Sequence, residues 1–122
     1  MKTKFISLII LTAMSLSGMA QYAERKTIIR RDQKEVVKAI AYSKEDKSVR
    51  IPKTADEFFK TVLNTQTVDR FDKKPINYYK DEGYIHESFD QIYNGVPVEG
   101  CGYTFHYLNG VMYFAHGRYI RI

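Results

Sequence analysis

At 122 residues, the chain is long enough for one domain at most. Its formal net charge of +5 is a mild basic excess, which by itself does not argue for a nucleic-acid partner. A single cysteine allows no intramolecular disulfide.

The first twenty residues predict a secretory signal peptide. Lys2 and Lys4 form a basic start, and a mostly apolar run follows at 5–15. Small residues close the segment, so cleavage is expected between Ala20 and Gln21. The run is shorter than the roughly 20 residues that a membrane span needs, and an uncleaved anchor is the less favoured alternative. We therefore expect an exported protein, periplasmic or extracellular, with no membrane span in its mature chain.

Residues 21–50 form a polar, charge-rich N-terminal segment. Two apolar clusters interrupt it, one at 27–29 and one at 36–42. Their imperfect alternation favours an extended arm or short strands, while a helix over 34–42 stays open as an alternative. The main domain is expected to cover 51–122.

A short amphipathic helix is predicted directly after Pro52. Thr54 and Glu57 match a capping box, in which Thr54 accepts from the Glu57 N–H and Glu57 reaches back to the Thr54 N–H. The helix is expected to end at Asn64. Its apolar stripe needs a sheet to cover, because so short a helix does not persist alone in water. The stripe consists of Phe58, Phe59, Val62 and Leu63.

The remaining chain predicts a sheet of about four strands. Candidate strands lie at 76–80, 84–93, 101–108 and 111–121. Asn-Gly pairs at 94–95 and 109–110 are strong hairpin signals, so the strands are expected to form an antiparallel meander. Pro97 with Gly100 and Gly102 indicates a bend or bulge before the third strand. The predicted fold class is α+β, with one amphipathic helix packed on this sheet.

The last hairpin allows a prediction of its register. A two-residue turn at 109–110 places Leu108 opposite Val111, and regular pairing then puts His106 opposite Tyr113. His106, Thr104 and Ala115 are expected on the face away from the helix. The expected core face carries Tyr103, Phe105, Tyr107, Met112, Phe114 and His116.

No catalytic, cofactor or metal site is predicted from these residues. The regular register separates His106 from His116. The string HESFD at 86–90 has an Asp where a zinc-protease helix has its second His, and on a strand residues four apart are about 13 Å apart. Cys101 is interpreted as a small core residue, because a pair with His116 would still lack an orienting group and an oxyanion hole. The ten tyrosines are read first as strand residues and second as a binding surface.

The string HESFDQIYNGVPVEG at 86–100 resembles the signature of the fungalysin/thermolysin propeptide (FTP) domain. The upstream helix and the strands and turn that follow also agree with the layout of that family, so the resemblance covers about 52–120. The matching residues are Phe89, Gln91, Tyr93, Gly95, Val96, Pro97, Val98 and Gly100.

In that family the domain precedes a second propeptide module and a zinc metalloprotease, which it helps to fold and keeps inactive. We expect neither to follow Ile122 here. The resemblance therefore implies a non-catalytic binding module that inhibits a secreted thermolysin-like metalloprotease, or helps it to fold, in trans. Tyr93 and Tyr113 are candidate anchors for such a partner. The alternatives are an envelope or surface interaction protein without a protease target, and a truncated remnant of a protease precursor.

Overall fold

The computed structural model describes residues 26–75 and 82–122. Within them the chain forms a short helix and a sheet of six strands. The helix α1 (Ala55–Phe58) continues without a break into a π-helical turn at Phe59–Leu63. The strands are β1 (Ile28–Arg31), β2 (Val37–Ala41), β3 (Asp69–Lys73), β4 (Tyr84–Tyr93), β5 (Val96–Leu108) and β6 (Val111–Arg118). The expected signal peptide at 1–20 and the expected strand at 76–80 lie outside the described residues.

All neighbouring strands are antiparallel, in the order β1-β2-β6-β5-β4-β3. The described part of the chain forms the β1–β2 hairpin first and then crosses one face of the sheet through α1. It re-enters the sheet at the far edge as β3. The meander from β3 to β6 returns across the sheet until β6 pairs with β2. The helix therefore lies over the face that both halves share.

The sheet has more strands than the four predicted, because it also includes β1, β2 and the edge strand β3. Residues 28–41 form a hairpin, so short strands are correct for this segment and the helix over 34–42 does not form. The Asp32 carboxylate accepts from the N–H groups of Lys34 and Val36 at 2.8 and 3.0 Å, which closes the turn. Strand β3 has no clear signal in the sequence, because its segment DRFDK is charged and places few side chains in the core.

The start of the helix agrees with half of the predicted capping box. Thr54 Oγ1 accepts from the Glu57 N–H at 3.1 Å. The other half is wrong, because the Glu57 carboxylate accepts from the Lys53 N–H and from Arg50 instead of from Thr54. The helix ends at Asn64, which has a left-handed conformation with φ 51°. Asparagine adopts this conformation at helix C-termini more readily than most residues other than glycine.

An aromatic core fills the space between helix and sheet. Phe58 is fully buried, and its ring centroid lies 5.0 Å from that of Phe105 and 5.5 Å from that of Tyr103. Phe59 stacks on Phe71 of β3 at 3.9 Å. The predicted apolar stripe is confirmed, with Val62 partly buried at its margin.

The register of β5 and β6 begins as predicted and then shifts. Leu108 pairs with Val111 and Tyr107 with Met112, but His106 pairs with Phe114 because Tyr113 is an extra residue in β6. A shift of one residue exchanges the two faces of a strand. The expected positions of Phe114 and His116 in the core and of Ala115 outside it are therefore wrong. Ala115 is fully buried opposite Phe105, where the rings of Phe58 and Phe59 already occupy the space above the sheet.

The irregularity predicted around Pro97, Gly100 and Gly102 is a large bulge within β5. Asp90 pairs with Gly102 and Ile92 with Pro97, so residues 98–101 lie opposite Gln91 alone. Gly102 has φ 152°, and a Cβ there would overlap the carbonyl oxygen of Phe89. Only glycine allows β5 to rejoin β4 this closely.

This contact predicts that Gly102→Ala destabilises the fold by about 2–4 kcal/mol, since a methyl group would push β5 away from β4. Gly110→Ala is the matched control, because Gly110 also has positive φ, 81°, but a methyl group added there would have no other atom within 4 Å. Its cost should be about 1–2 kcal/mol, from the backbone alone. Urea unfolding at neutral pH compares the two, and equal losses would contradict the close contact.

Candidate functional site: the β4–β5 hairpin and the open face of the sheet

The residues of the FTP-like string divide into those that build the hairpin and those that its tip exposes. Phe89 belongs to the first group, with its ring edge-on to Phe59 at 5.5 Å and to Phe105 at 5.7 Å. It lies on the helix side of β4 and completes the aromatic core. Its place in the string is explained by packing.

Gln91 is a buried tether between β4 and the segment that follows β6. Its side chain has no exposed surface. Its Nε2 donates to the Ile120 carbonyl at 2.8 Å, and its Oε1 accepts from the Ile120 N–H at 3.1 Å. One amide side chain thus satisfies both backbone groups of a residue outside the sheet, as a neighbouring strand would.

Asp69 extends this tether to β3. Its Oδ1 accepts from Gln91 Nε2 at 3.4 Å, and its Oδ2 accepts from the Tyr119 hydroxyl. Burial, followed by the hydrogen bond to Asp69, raises the pKa of Tyr119 to about 12, so this phenol stays protonated and donates. The base of the hairpin is therefore joined to both β3 and the chain after β6.

The hairpin tip presents apolar side chains to solvent. Asn94 and Gly95 have φ 48° and 81°, as a tight two-residue turn requires. Val96 is 64% exposed, and Val68 is 46% exposed where its carbonyl accepts from the Asn94 N–H at 3.0 Å. We call this surface the apolar tip, defined as Val68, Tyr93, Val96 and Pro97.

Two further residues of the string, Val98 and Gly100, lie in the bulge of β5. Gly100 has φ 75°, with open space around it, and Val98 is half-buried. Cys101 lies next to them and is buried as expected. Burial raises the pKa of its thiol, with Arg118 acting weakly in the other direction, so the nucleophilic thiolate is disfavoured.

The prediction that His106 and His116 lie on opposite faces of the sheet is wrong. Nδ1 of His86 lies 2.5 Å from Nδ1 of His106, and Nε2 of His106 lies 2.9 Å from Nε2 of His116. All three rings lie on the face away from the helix, which we call the open face. The cause is the extra residue Tyr113, because it moves His116 from the core face to the open face.

These rings point at one another in pairs and not at a common point. In the described parts of the chain, no three His, Cys, Asp or Glu side chains are arranged to hold a metal ion. The two candidate anchors are also separated. Tyr93 belongs to the apolar tip, whereas the Tyr113 ring lies 5.9 Å from that of Tyr84, nine residues and about 30 Å back along β4.

Sequence reasoning missed the histidine contacts and the function of Gln91 as a tether. The sequence around Tyr113 contains no signal for the bulge there, because the Asn-Gly turn at 109–110 predicts regular pairing of β5 with β6. Gln91 did carry a signal, since it is a polar residue two positions after Phe89 and directly before the apolar Ile92 and Tyr93. Its partner Ile120 is 29 residues away, so only the folded chain identifies it.

Over the described residues, the fold is a small α+β module in which one helix packs on an antiparallel sheet, and buried polar groups hold the β4–β5 hairpin in place. Residues 72–119 match the family model FTP, the Fungalysin/Thermolysin Propeptide Motif, and so confirm the resemblance seen in the sequence. This motif is a propeptide motif and not a catalytic domain. No curated protein and no solved structure matches the chain. None of the described helices is long and apolar enough to cross a membrane.

Gln91→Met should lower the free energy of unfolding by about 2–4 kcal/mol. Methionine fills a similar volume but leaves both backbone groups of Ile120 without their partner. Gln33→Met, at an exposed position, is the control and should change stability by less than about 0.5 kcal/mol. Thermal unfolding of the two variants tests this, and a Gln91→Met protein as stable as the control would show that the tether is unimportant.

Proposed function

We propose that this protein is an exported, non-catalytic binding module that acts in trans on a secreted thermolysin-like zinc metalloprotease, as its inhibitor or folding helper. The match of residues 72–119 to a propeptide motif of such proteases carries the proposal. The signal-peptide pattern at 1–20 and the match to a motif of secreted proteases both support the export part of this proposal.

The apolar tip is the surface proposed to dock. The other residues of the FTP-like string have structural reasons for their identity: Phe89 packs, Gln91 tethers, and Gly95 and Gly100 adopt positive φ. Val96 has no such reason, because its side chain is 64% exposed. Exposed apolar residues within such a string are better explained by a partner than by the fold.

The surroundings of the tip suit a docking role. Its turn is tight, and the strands behind it are held by the Gln91 tether and by the pairing of Tyr93 with Asp69. A preorganised hairpin loses little conformational entropy on binding, so buried apolar area converts efficiently into affinity. Tyr93 is half-buried at the base of the tip and is proposed to anchor the contact from there. Tyr113, the other candidate anchor, lies too far away to share this contact.

The test uses purified residues 21–122 and a secreted thermolysin-like metalloprotease from the same organism. We expect the protein to slow peptide hydrolysis at micromolar concentration or to raise the yield of active protease on refolding. The proposal is wrong if micromolar protein does neither. A pull-down from the exported fraction separates it from the envelope-protein alternative, because only the proposed function recovers a metalloprotease.

Val96→Asp should weaken inhibition, or raise the concentration needed for half-maximal refolding, by about tenfold or more. A carboxylate buried in an apolar contact loses its hydration, and no partner compensates for that cost. A tenfold loss of affinity equals about 1.4 kcal/mol. Ile29→Asp is the matched control, because Ile29 is 41% exposed and lies on β1, the edge strand at the opposite end of the sheet from β3. Both variants should keep the melting temperature of the parent protein. Equal losses of inhibition or refolding activity in the two variants would contradict docking at the apolar tip.

A further inference from the structure

The three histidines form a row across neighbouring strands, which we call the histidine ladder: His86 on β4, His106 on β5 and His116 on β6. His86 and His106 are direct partners in the sheet, and His116 lies on the diagonal, opposite Thr104. Contacts of 2.5 and 2.9 Å engage both ring nitrogens of the central His106. The rings of His106 and His116 are nearly parallel, at 10°.

The number of protons on this ladder decides whether its contacts persist. A neutral imidazole has one N–H and one acceptor nitrogen. With three neutral rings, His86 can donate to His106 and His106 can donate to His116, so both contacts are satisfied. One additional proton is tolerated, for example on His86, whose second nitrogen faces away from the ladder. A second additional proton must bring two N–H groups head to head in one contact.

Among the described residues, no carboxylate adjoins the ladder to stabilise its doubly protonated form. Phe114 stacks beside His106 and His116, and Ala39 of β2 pairs with His116. Asp90, the carboxylate on this face of β4, is four residues from His86 and forms an ion pair with Lys74 at 3.2 Å. Alternation along the strands places these titratable or charged side chains on the same face of the sheet: Tyr84 and Asp90 on β4, Arg70 and Asp72 on β3, Tyr113 and Arg118 on β6, and Arg30 on β1.

We propose that the histidine ladder is an acid-sensitive clasp, which joins β4, β5 and β6 at neutral pH and loses one of its two contacts when a second proton enters. The clasp is independent of the apolar tip and of any protease. At neutral pH these contacts hold β4, β5 and β6 together on the open face, and at acidic pH the strands lose one of the contacts.

The sign of the pH dependence follows from the central ring. Burial, followed by the nearby His116 and His86, lowers the pKa of His106 to about 4. In the unfolded chain a histidine titrates near 6.5, so the unfolded state binds more protons between about pH 6.5 and 4. This contribution to stability is therefore complete above about pH 6.5 and is lost as the pH falls toward 4.

The test measures urea unfolding from pH 7.5 to 5.0 for the native protein and for His106→Phe. Phenylalanine keeps a ring between its neighbours but cannot take up a proton. Over this range the unfolding equilibrium constant of the native protein should rise about tenfold more than that of the variant. The rise is smaller than the full pKa shift of His106 would give, because solvent reaches part of its ring and screens its charge.

Thr104→Val is the control. It removes the 2.9 Å hydroxyl contact with Ser88 beside the ladder and should destabilise equally at every pH. Equal pH dependence in the native protein and His106→Phe would overturn the proposal.

Imidazole ¹⁵N NMR of the native protein tests the same clasp without a substitution. At pH 5.5, His106 should still show one protonated and one unprotonated nitrogen. Its titration should fall well below that of a free histidine, together with a change in the amide signals of β5 and β6. Three independent titrations near pH 6.5, with unchanged amide signals, would overturn the clasp even if His106→Phe failed to fold.

Discussion

The packing of Phe58 and Phe59 against the sheet is the contact on which the rest of this structure depends. The β1–β2 hairpin and the β3–β6 meander are far apart in sequence, and the helix is the segment that crosses between them. Phe59 contacts Phe71 on β3, Phe89 on β4 and Phe105 on β5, so one ring touches three strands. Burial of a phenylalanine is worth about 3–5 kcal/mol against alanine, a large share of the stability of a small domain.

This packing also decides which residues the other face can carry. Space above Phe105 is taken by the two helix rings, so β6 can place only the small Ala115 opposite it. The extra residue Tyr113 makes that possible and turns Phe114 and His116 outward. The histidine ladder is thus a consequence of how the core is filled on the opposite face of the sheet. An irregularity in the pairing of β6 with β5 thus adds the ring of His116 to the pair that His86 and His106 already form.

The apolar tip depends on a second, polar constraint. Residues 98–101 bulge out of β5, and the space opposite holds Gln91, which would be costly to bury without partners. Ile120 and Asp69 supply them. The string shared with the propeptide motif therefore holds both a rigid base and an exposed end. The tip and the histidine ladder occupy separate parts of the molecule, so binding at the one and protonation of the other can be examined separately.

The sequence by itself determined the features that neighbouring residues decide. Thr54 and the stripe at 58–63 identify the helix, the Asn-Gly turns identify two hairpins, and the string at 86–100 identifies the propeptide motif. Only the tertiary structure decided the edge strand β3, the bulge at Tyr113 and the partners of Gln91. The charged DRFDK segment becomes a strand because β4 pairs with it and Phe59 stacks on its Phe71. The positions of Ala115 and His116 depend on side-chain volumes contributed by a helix more than fifty residues away, and no local pattern contains that information.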